Sequence, residues 1–226
     1  MPGHVKFDDL ANGANSMKLY ALPPSPNTFK VVALAHHLGL ELEVINMDVA
    51  SGAHKAPEYM AKNPNALMPT LEDGDFHLWE SNAILMYLAM KKPESGMWPS
   101  DLQGQAKVQQ WLSWSVCHWG PAMRPFIFER IVKAKFGMGP ADEAEIAKAT
   151  EAFPKVADVL EAHLKHHQFL VGDKLTIADF AVAAASPYAA MAGIPMDKYP
   201  NIKAYGERIT GTEHWKKAMG PMPAMK

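Results

Sequence analysis

Residues 63–89 read NPNALMPTLEDGDFHLWESNAILMYLA, and the order of elements in this stretch decides the fold. Asn63-Pro-Asn65 is a turn cluster. Thr70–Glu72 and Phe76–Trp79 then flank Asp73-Gly-Asp75, a strong hairpin signal. Glu80-Ser81 leads into an apolar helical run, NAILMYLAMKK, that must stop by Pro93. The stretch therefore predicts two antiparallel strands followed by a helix.

Upstream, Lys18–Leu22 reads as a strand, and Pro23, Pro24 and Pro26 force an extended loop because each fixes φ and removes a donor. From Asn27 the pattern turns helical, with Phe29, Val32, Ala33 and His36 on one side and Gly39 as the stop. Glu41–Val49 is strand-like, Gly52–Lys55 a loop, and Pro57 opens one or two helical turns through Lys62. The order is β-α-β and then β-β-α, that of a thioredoxin-like domain, although periodicity alone leaves other α/β folds open.

Downstream, residues 93–102 (PESGMWPSDL) have linker composition, and everything beyond is helical in pattern. Gln103–Trp119 is expected to break at Gly120-Pro121, with a second stretch to about Phe136 and a stop at Gly137, Gly139 and Pro140. Glu143–His166 carries Ile146, Phe153, Val156, Leu160 and Leu164 on one stripe, with a kink or break at Pro154. The segment from Thr176 is alanine-rich and apolar all round, which predicts full burial. The expected organisation is a leader over residues 1–16, an α/β thioredoxin-like domain over 17–93, a linker over 94–102 and an all-α domain over 103–226.

Composition narrows the function classes. Of 226 residues, 48% are apolar and 20% charged, so the chain can bury a core and is not disordered. A net charge of −2 gives no pull on nucleic acid or anionic membrane. No run approaches the ~20 apolar residues of a membrane span, and the first residues lack the apolar core of a signal peptide. The leader reads as mobile, ahead of a second possible start at Met17. A single cysteine, Cys117, forms no intrachain disulfide and fits a reducing, cytoplasmic compartment.

Three local features of the first domain carry chemistry. Met68-Pro69 stands just before a strand, where a cis bond would turn the Met68 backbone outward as an edge for a peptide to pair with. Glu80-Ser81 marks a helix start. That is an ordinary cap position, but its free N–H groups and a neighbouring carboxylate also suit an amino acid's carboxylate and ammonium. Ser25, in the loop before a helix, is either a turn or cap residue or a hydroxyl donor to an anion.

These residues also carry a resemblance. NPNALMPTLEDGDFHLWESNAILMYLA resembles the glutathione-binding half of soluble glutathione transferases, with a proline-anchored strand followed by a Glu-Ser pair. KLYALPPSPNTFKVV is similar to their first strand and the loop bearing the activating hydroxyl, and FLVGDKLTIADF (169–180) to their buried capping motif. The resemblance covers Met17 to about Trp215. It implies that Ser25 donates to the glutathione sulfur, with Tyr20 and Asn27 as alternatives. Asn27 stands in a Ser-Pro-Asn that resembles the Thr-Pro-Asn of the bacterial nu class. His54 and Lys55 resemble the phi-class pair that holds the glycine carboxylate. Met68, anchored by Pro69, would pair with the cysteinyl backbone, and Glu80 and Ser81 would hold the γ-glutamyl end. Leu67 departs from the Gln or Lys of many relatives and removes one expected hydrogen bond.

The implied activity is addition of the glutathione thiolate to a hydrophobic electrophile, with no cofactor or metal beyond the co-substrate. A glutathione-dependent disulfide or peroxide reductase, or a binding protein with little turnover, are the alternatives. Relatives are homodimers, so a homodimer is expected. In the second domain Trp111, Ser115, His118, Trp119 and Met123 recur at helical spacing. They are either core or the wall of the electrophile pocket, with Ser115, His118 and Trp119 as the pocket candidates. Cys117 reads as a small packed side chain, and Thr176-x-x-Asp179 as a structural capping box. His163, His166 and His167 have spacing that could face a metal, but they also suit a helix C-terminus.

Overall fold

The computed structural model describes residues 17–220, so the expected leader lies outside the described residues. Strand β1 (Met17–Ala21) buries Met17, Leu19 and Ala21 on one face and turns Lys18 and Tyr20 to the other, the two-residue period of a strand. β2 (Leu42–Asn46) lies parallel to it, while β3 (Thr70–Asp73) runs antiparallel and pairs with β4 (Phe76–Trp79). The sheet order is β2-β1-β3-β4. Asp73 pairs directly with Phe76, so the hairpin loop is the two residues Gly74-Asp75, and Gly74 takes the φ of +61° that the tight turn needs.

Helix α1 (Pro26–His37) and helix α3 (Ser81–Met90) cover the apolar face of the sheet. Their Val31, Leu34, Ile84, Leu85 and Leu88 form one core with Leu19 and Leu71. The short α2 (Pro57–Met60) lies on the opposite face, where Tyr59 meets Tyr20 edge-on at 5.6 Å. Residues 53–55, expected as loop, form a single 3₁₀ turn. α1 is also covered from outside by the second domain.

That domain departs from expectation at Gly120-Pro121. α4 (Leu102–Trp114), α5 (Gly120–Ile127) and α6 (Lys133–Phe136) are one continuous helix, joined by π turns over Ser115–Trp119 and Phe128–Val132. Pro121 has no N–H to give, and the wider turn absorbs its ring, with Gly120 donating five residues back to Ser115. A Cβ at Gly120 would come within 3.0 Å of the Ser115 carbonyl oxygen, so glycine fits this crowded turn. The helix ends at Gly137, with a φ of +62°.

The expected break at Pro154 is present: α7 (Glu143–Ala152) gives way to α8 (Pro154–Leu164). α9 (Ile177–Ala183) is buried along its whole length. The Asp179 carboxylate, fully buried, accepts from the N–H groups of Leu170 at 3.0 Å and Thr176 at 2.9 Å and from the Tyr205 hydroxyl at 3.1 Å. α10 (Pro200–Thr210) and α11 (Glu213–Met219) complete the domain, and Trp215 of α11 stacks on Phe180 against α1.

Candidate functional site

The sheet topology gathers the candidate residues at one edge. β1, β2 and β4 point the same way and β3 the opposite way, so three strand C-termini and the N-terminus of β3 meet there. The Ser25 loop leaves β1, the His54 turn follows β2, Met68-Pro69 enters β3, and Glu80-Ser81 leaves β4. Crevices beyond strand C-termini are where α/β sheets bind ligands.

The Met68–Pro69 bond is cis. The turn before it is held through the Leu67 carbonyl, which accepts from the Tyr59 hydroxyl, from Asn63 Nδ2 at 2.8 Å and from Thr70 Oγ1 at 3.3 Å. Asn63 and Thr70 are themselves buried and bonded to each other at 2.9 Å. Met68, by contrast, makes no backbone–backbone hydrogen bond among the described residues. Its N–H and C=O form a free peptide edge on a rigid base. The Leu67 side chain is 64% exposed at the lip, with its carbonyl turned inward.

Ser25 sits at the N-cap of α1 with extended φ and ψ, yet its hydroxyl makes no cap bond. The N–H groups of Thr28 and Phe29 go instead to the Ser25 carbonyl, each at 3.0 Å. The hydroxyl is therefore uncommitted, and the ordinary cap reading does not describe it. The Ser81 hydroxyl donates to Asn27 Oδ1 at 3.3 Å, which brings the N-termini of α1 and α3 together at one place. Two helix N-termini then present N–H groups and positive dipole ends to the same crevice. Glu80 precedes Ser81 with a φ of +70°, a conformation an L side chain adopts at a cost and one that clusters at binding sites.

On the other face of the sheet, the Tyr20 hydroxyl donates to Glu72 Oε2 at 3.0 Å, away from the crevice. Burial and that carboxylate both raise its pKa above the ordinary tyrosine value. Lys62 and then Tyr20 and Lys18 bond the same carboxylate and hold its pKa down at about 2, against the opposing effect of burial. Tyr20 is thus built into a structural cluster. His54 has its Nδ1 buried without a hydrogen-bond partner, and Lys55 beside it is exposed.

The second-domain candidates divide. Ser115 is buried, its hydroxyl donating to the Leu112 carbonyl at 2.7 Å and accepting from Asn82 Nδ2 at 3.1 Å. Trp119 is buried, its indole N–H donating to the Val182 carbonyl at 3.0 Å. Both pack the core instead of lining a pocket; of the three candidates only His118 is exposed. Cys117 is also exposed, contrary to its reading as a packed side chain. His163 and His167 stack on each other and their ring nitrogens meet backbone carbonyls. Among the described residues no cluster of metal-ligating side chains forms.

Two residues escaped the sequence reading. Lys30 of α1 is buried beneath the crevice, 2.6 Å from Asn82 Oδ1. Burial holds its pKa down at about 7, with the Glu80 carboxylate pulling the other way. Lys135, at the end of α6, donates to the Pro23 carbonyl at 2.9 Å and so ties the long helix to the loop that carries Ser25. No local signal in the sequence marked the burial of Lys30 or the contact of the exposed Lys135 with Pro23.

Comparison with known proteins adds independent findings. The family model described as glutathione S-transferase, N-terminal domain, matches residues 15–90, and the C-terminal domain model matches 117–213. Glutathione S-transferase 3 of Zea mays is 36% identical, over 92% of this chain and 95% of that one. The structure of glutathione transferase F7 from Populus trichocarpa superposes with a TM-score of 0.81 at 31% identity, over 90% of this chain and 99% of that one. Maize glutathione S-transferase I, solved with an atrazine glutathione conjugate, gives a TM-score of 0.83 at 28% identity, over 92% of this chain and all (100%) of that one.

Proposed function

The chain belongs to the glutathione S-transferase family, and we propose that it binds glutathione in this crevice and directs its thiolate onto a hydrophobic electrophile. The observation that carries the reading is the uncommitted Ser25 hydroxyl, set at a helix N-terminus at the same end of the sheet as the free Met68 edge. Glutathione lies along that edge, its cysteinyl N–H and C=O paired with Met68. The γ-glutamyl ammonium meets Glu80, and its carboxylate meets Ser81 and the α3 N-terminus. His54 and Lys55 take the glycine carboxylate.

A free thiol has a pKa of ~8.5, so little is nucleophilic at neutral pH. Lowering it by about two units needs ~2.7 kcal/mol of preference for the thiolate. A hydrogen bond to a charged group contributes roughly 1.5–3 kcal/mol, and the helix N-terminus adds to it. Ser25, with Asn27 close by, is about sufficient without a general base. The thiolate attacks the electrophilic carbon, the carbon–sulfur bond forms, and the leaving group departs with its electron pair. The reaction uses no cofactor beyond the co-substrate.

Among the described residues no helix is long and apolar enough to cross a membrane. The exposed thiol of Cys117 fits a cytoplasmic, reducing setting. Phe76, Trp79 and Met90 on the β4–α3 side and Val116 on the long helix are exposed apolar groups. Met86, Val116 and Cys117 also line a cleft of about 380 Å³. Such a face supports a homodimer. A panel of a chloronitrobenzene, a small disulfide and a hydroperoxide, each with glutathione, tests the activity. Conjugation of the first supports the proposal; turnover of the other two alone would favour a reductase, and silence with all three a binding protein.

A further inference from the structure

Lys135 of α6 donates a hydrogen bond to the loop bearing Ser25, and its partner there is a neutral carbonyl. Its neighbour in sequence and charge, Lys133, is neutralised by Glu129, as Lys62 is by Glu72 and Lys91 by Asp73. Among the described residues Lys135 faces no carboxylate within ion-pair distance. Partial burial pulls its pKa below the ordinary lysine value with no carboxylate to offset it, while the side chain as a whole stays exposed.

Its surroundings are apolar and open. The ammonium lies 5.5 Å from the Phe136 ring, which is 45% exposed, and Met138 beyond it is 55% exposed. The ammonium bonds the Pro23 carbonyl at 2.9 Å, and Pro23 is itself two Cα steps of ~3.8 Å along the chain from Ser25, so Lys135 flanks the loop of the residue that holds the sulfur. A second substrate must approach the sulfur from the side that the glutathione backbone leaves free. Lys135 and Phe136 set an unpaired cation and an aromatic surface on the flank of the loop that carries Ser25.

We propose that Lys135 selects aromatic electrophiles that carry a negatively charged substituent, by pairing its ammonium with that substituent while the ring rests on Phe136. The inference deepens the transferase reading and rests on it. In the reaction of a chloronitrobenzoate the glutathione thiolate attacks the ring carbon bearing chlorine. The carbon–sulfur bond forms, the carbon–chlorine bond breaks, chloride leaves with the electron pair, and the carboxylate stays unchanged against Lys135. The thiol proton goes to solvent before attack.

The test compares 4-chloro-3-nitrobenzoate with its neutral amide, each with glutathione, in wild type, Lys135→Met, Lys135→Arg and Lys135→Glu. The readout is the ratio of the two kcat/KM values, alongside the KM for glutathione. Lys135→Met lowers the benzoate-to-amide ratio about tenfold, the lower end of what one charge-assisted hydrogen bond contributes. Lys135→Arg keeps the ratio near wild type, Lys135→Glu lowers it further, and added salt weakens it in wild type. A Met variant that loses both substrates equally shows that Lys135 only props the loop, and an unchanged ratio shows that it does not meet the substrate; either overturns the proposal while leaving the transferase reading intact. A wild type that releases no chloride from either substrate, with no binding of glutathione, overturns the transferase reading first and this inference with it.

Discussion

Replacing Ser25 by alanine removes one hydroxyl that no protein group uses, so its effect should appear in chemistry and hardly in stability. The first N–H groups of α1 already bond the Ser25 carbonyl, and the alanine backbone keeps those bonds. Loss of the cap residue therefore costs at most a few tenths of a kcal/mol, below the ~1 kcal/mol of a working serine cap. The bound thiolate loses one charge-assisted hydrogen bond of roughly 1.5–3 kcal/mol. Divided by 1.36 kcal/mol per unit, that raises the thiol pKa by about one to two units. The sign follows from which form loses its partner: the thiolate is destabilised, so a higher pH is needed to reach the same thiolate fraction. The acid limb of the kcat/KM profile should move up by one to two units, and the rate well below it should fall about 10–100-fold. Stopped-flow rates from pH 5.5 to 9, with thiolate absorbance of the bound complex, measure both. A Ser25→Ala enzyme with an unmoved acid limb would refute the assignment, and so would one that simply unfolds.

Tyr20→Phe should leave the pH–rate profile in place and cost about 1 kcal/mol in urea unfolding, because its hydroxyl serves Glu72 on the far face of the sheet; a displaced profile would return Tyr20 to the active site. For Lys30, the folded pKa of about 7 lies below the unfolded value of 10.5, so the unfolded chain binds more protons between those limits. Its contribution to stability accordingly rises as pH climbs from 7 toward 10, and Lys30→Met should flatten that rise; parallel wild-type and mutant stability curves from pH 7 to 9 would contradict it. Asp179→Ala strips partners from two buried N–H groups and the Tyr205 hydroxyl, at about 1–3 kcal/mol each, so a loss of at least about 3 kcal/mol is expected in thermal or urea unfolding.

The sheet domain was legible because its signals are local. Asp73-Gly74-Asp75 between two short apolar runs fixes a hairpin, and the prolines after β1 fix a loop, whatever lies elsewhere. The long helix was misread at Gly120-Pro121 because proline removes a donor from an α turn, and only neighbouring packing shows that a π turn absorbs the loss. The unpaired backbone edge at Met68 was readable from Met68-Pro69, yet the Tyr59–Asn63–Thr70 network that holds it depends on side-chain directions across two turns. The second-domain stripe stayed open between two readings for the same reason: at helical spacing a wall and a core read alike, and the structure buries Ser115 and Trp119. Lys30 was invisible, since burial of a lysine is a property of what packs over it, and so was the contact of the exposed Lys135 with Pro23, which joins residues far apart in the chain.

The most direct test of the account is a crystal structure of the protein with glutathione bound. The account predicts the tripeptide paired through its cysteinyl backbone with Met68, its γ-glutamyl end at Glu80 and Ser81, and its sulfur within hydrogen-bond reach of the Ser25 hydroxyl. Glutathione bound elsewhere, or lying on Met68 with its sulfur served by a donor other than Ser25, would contradict it.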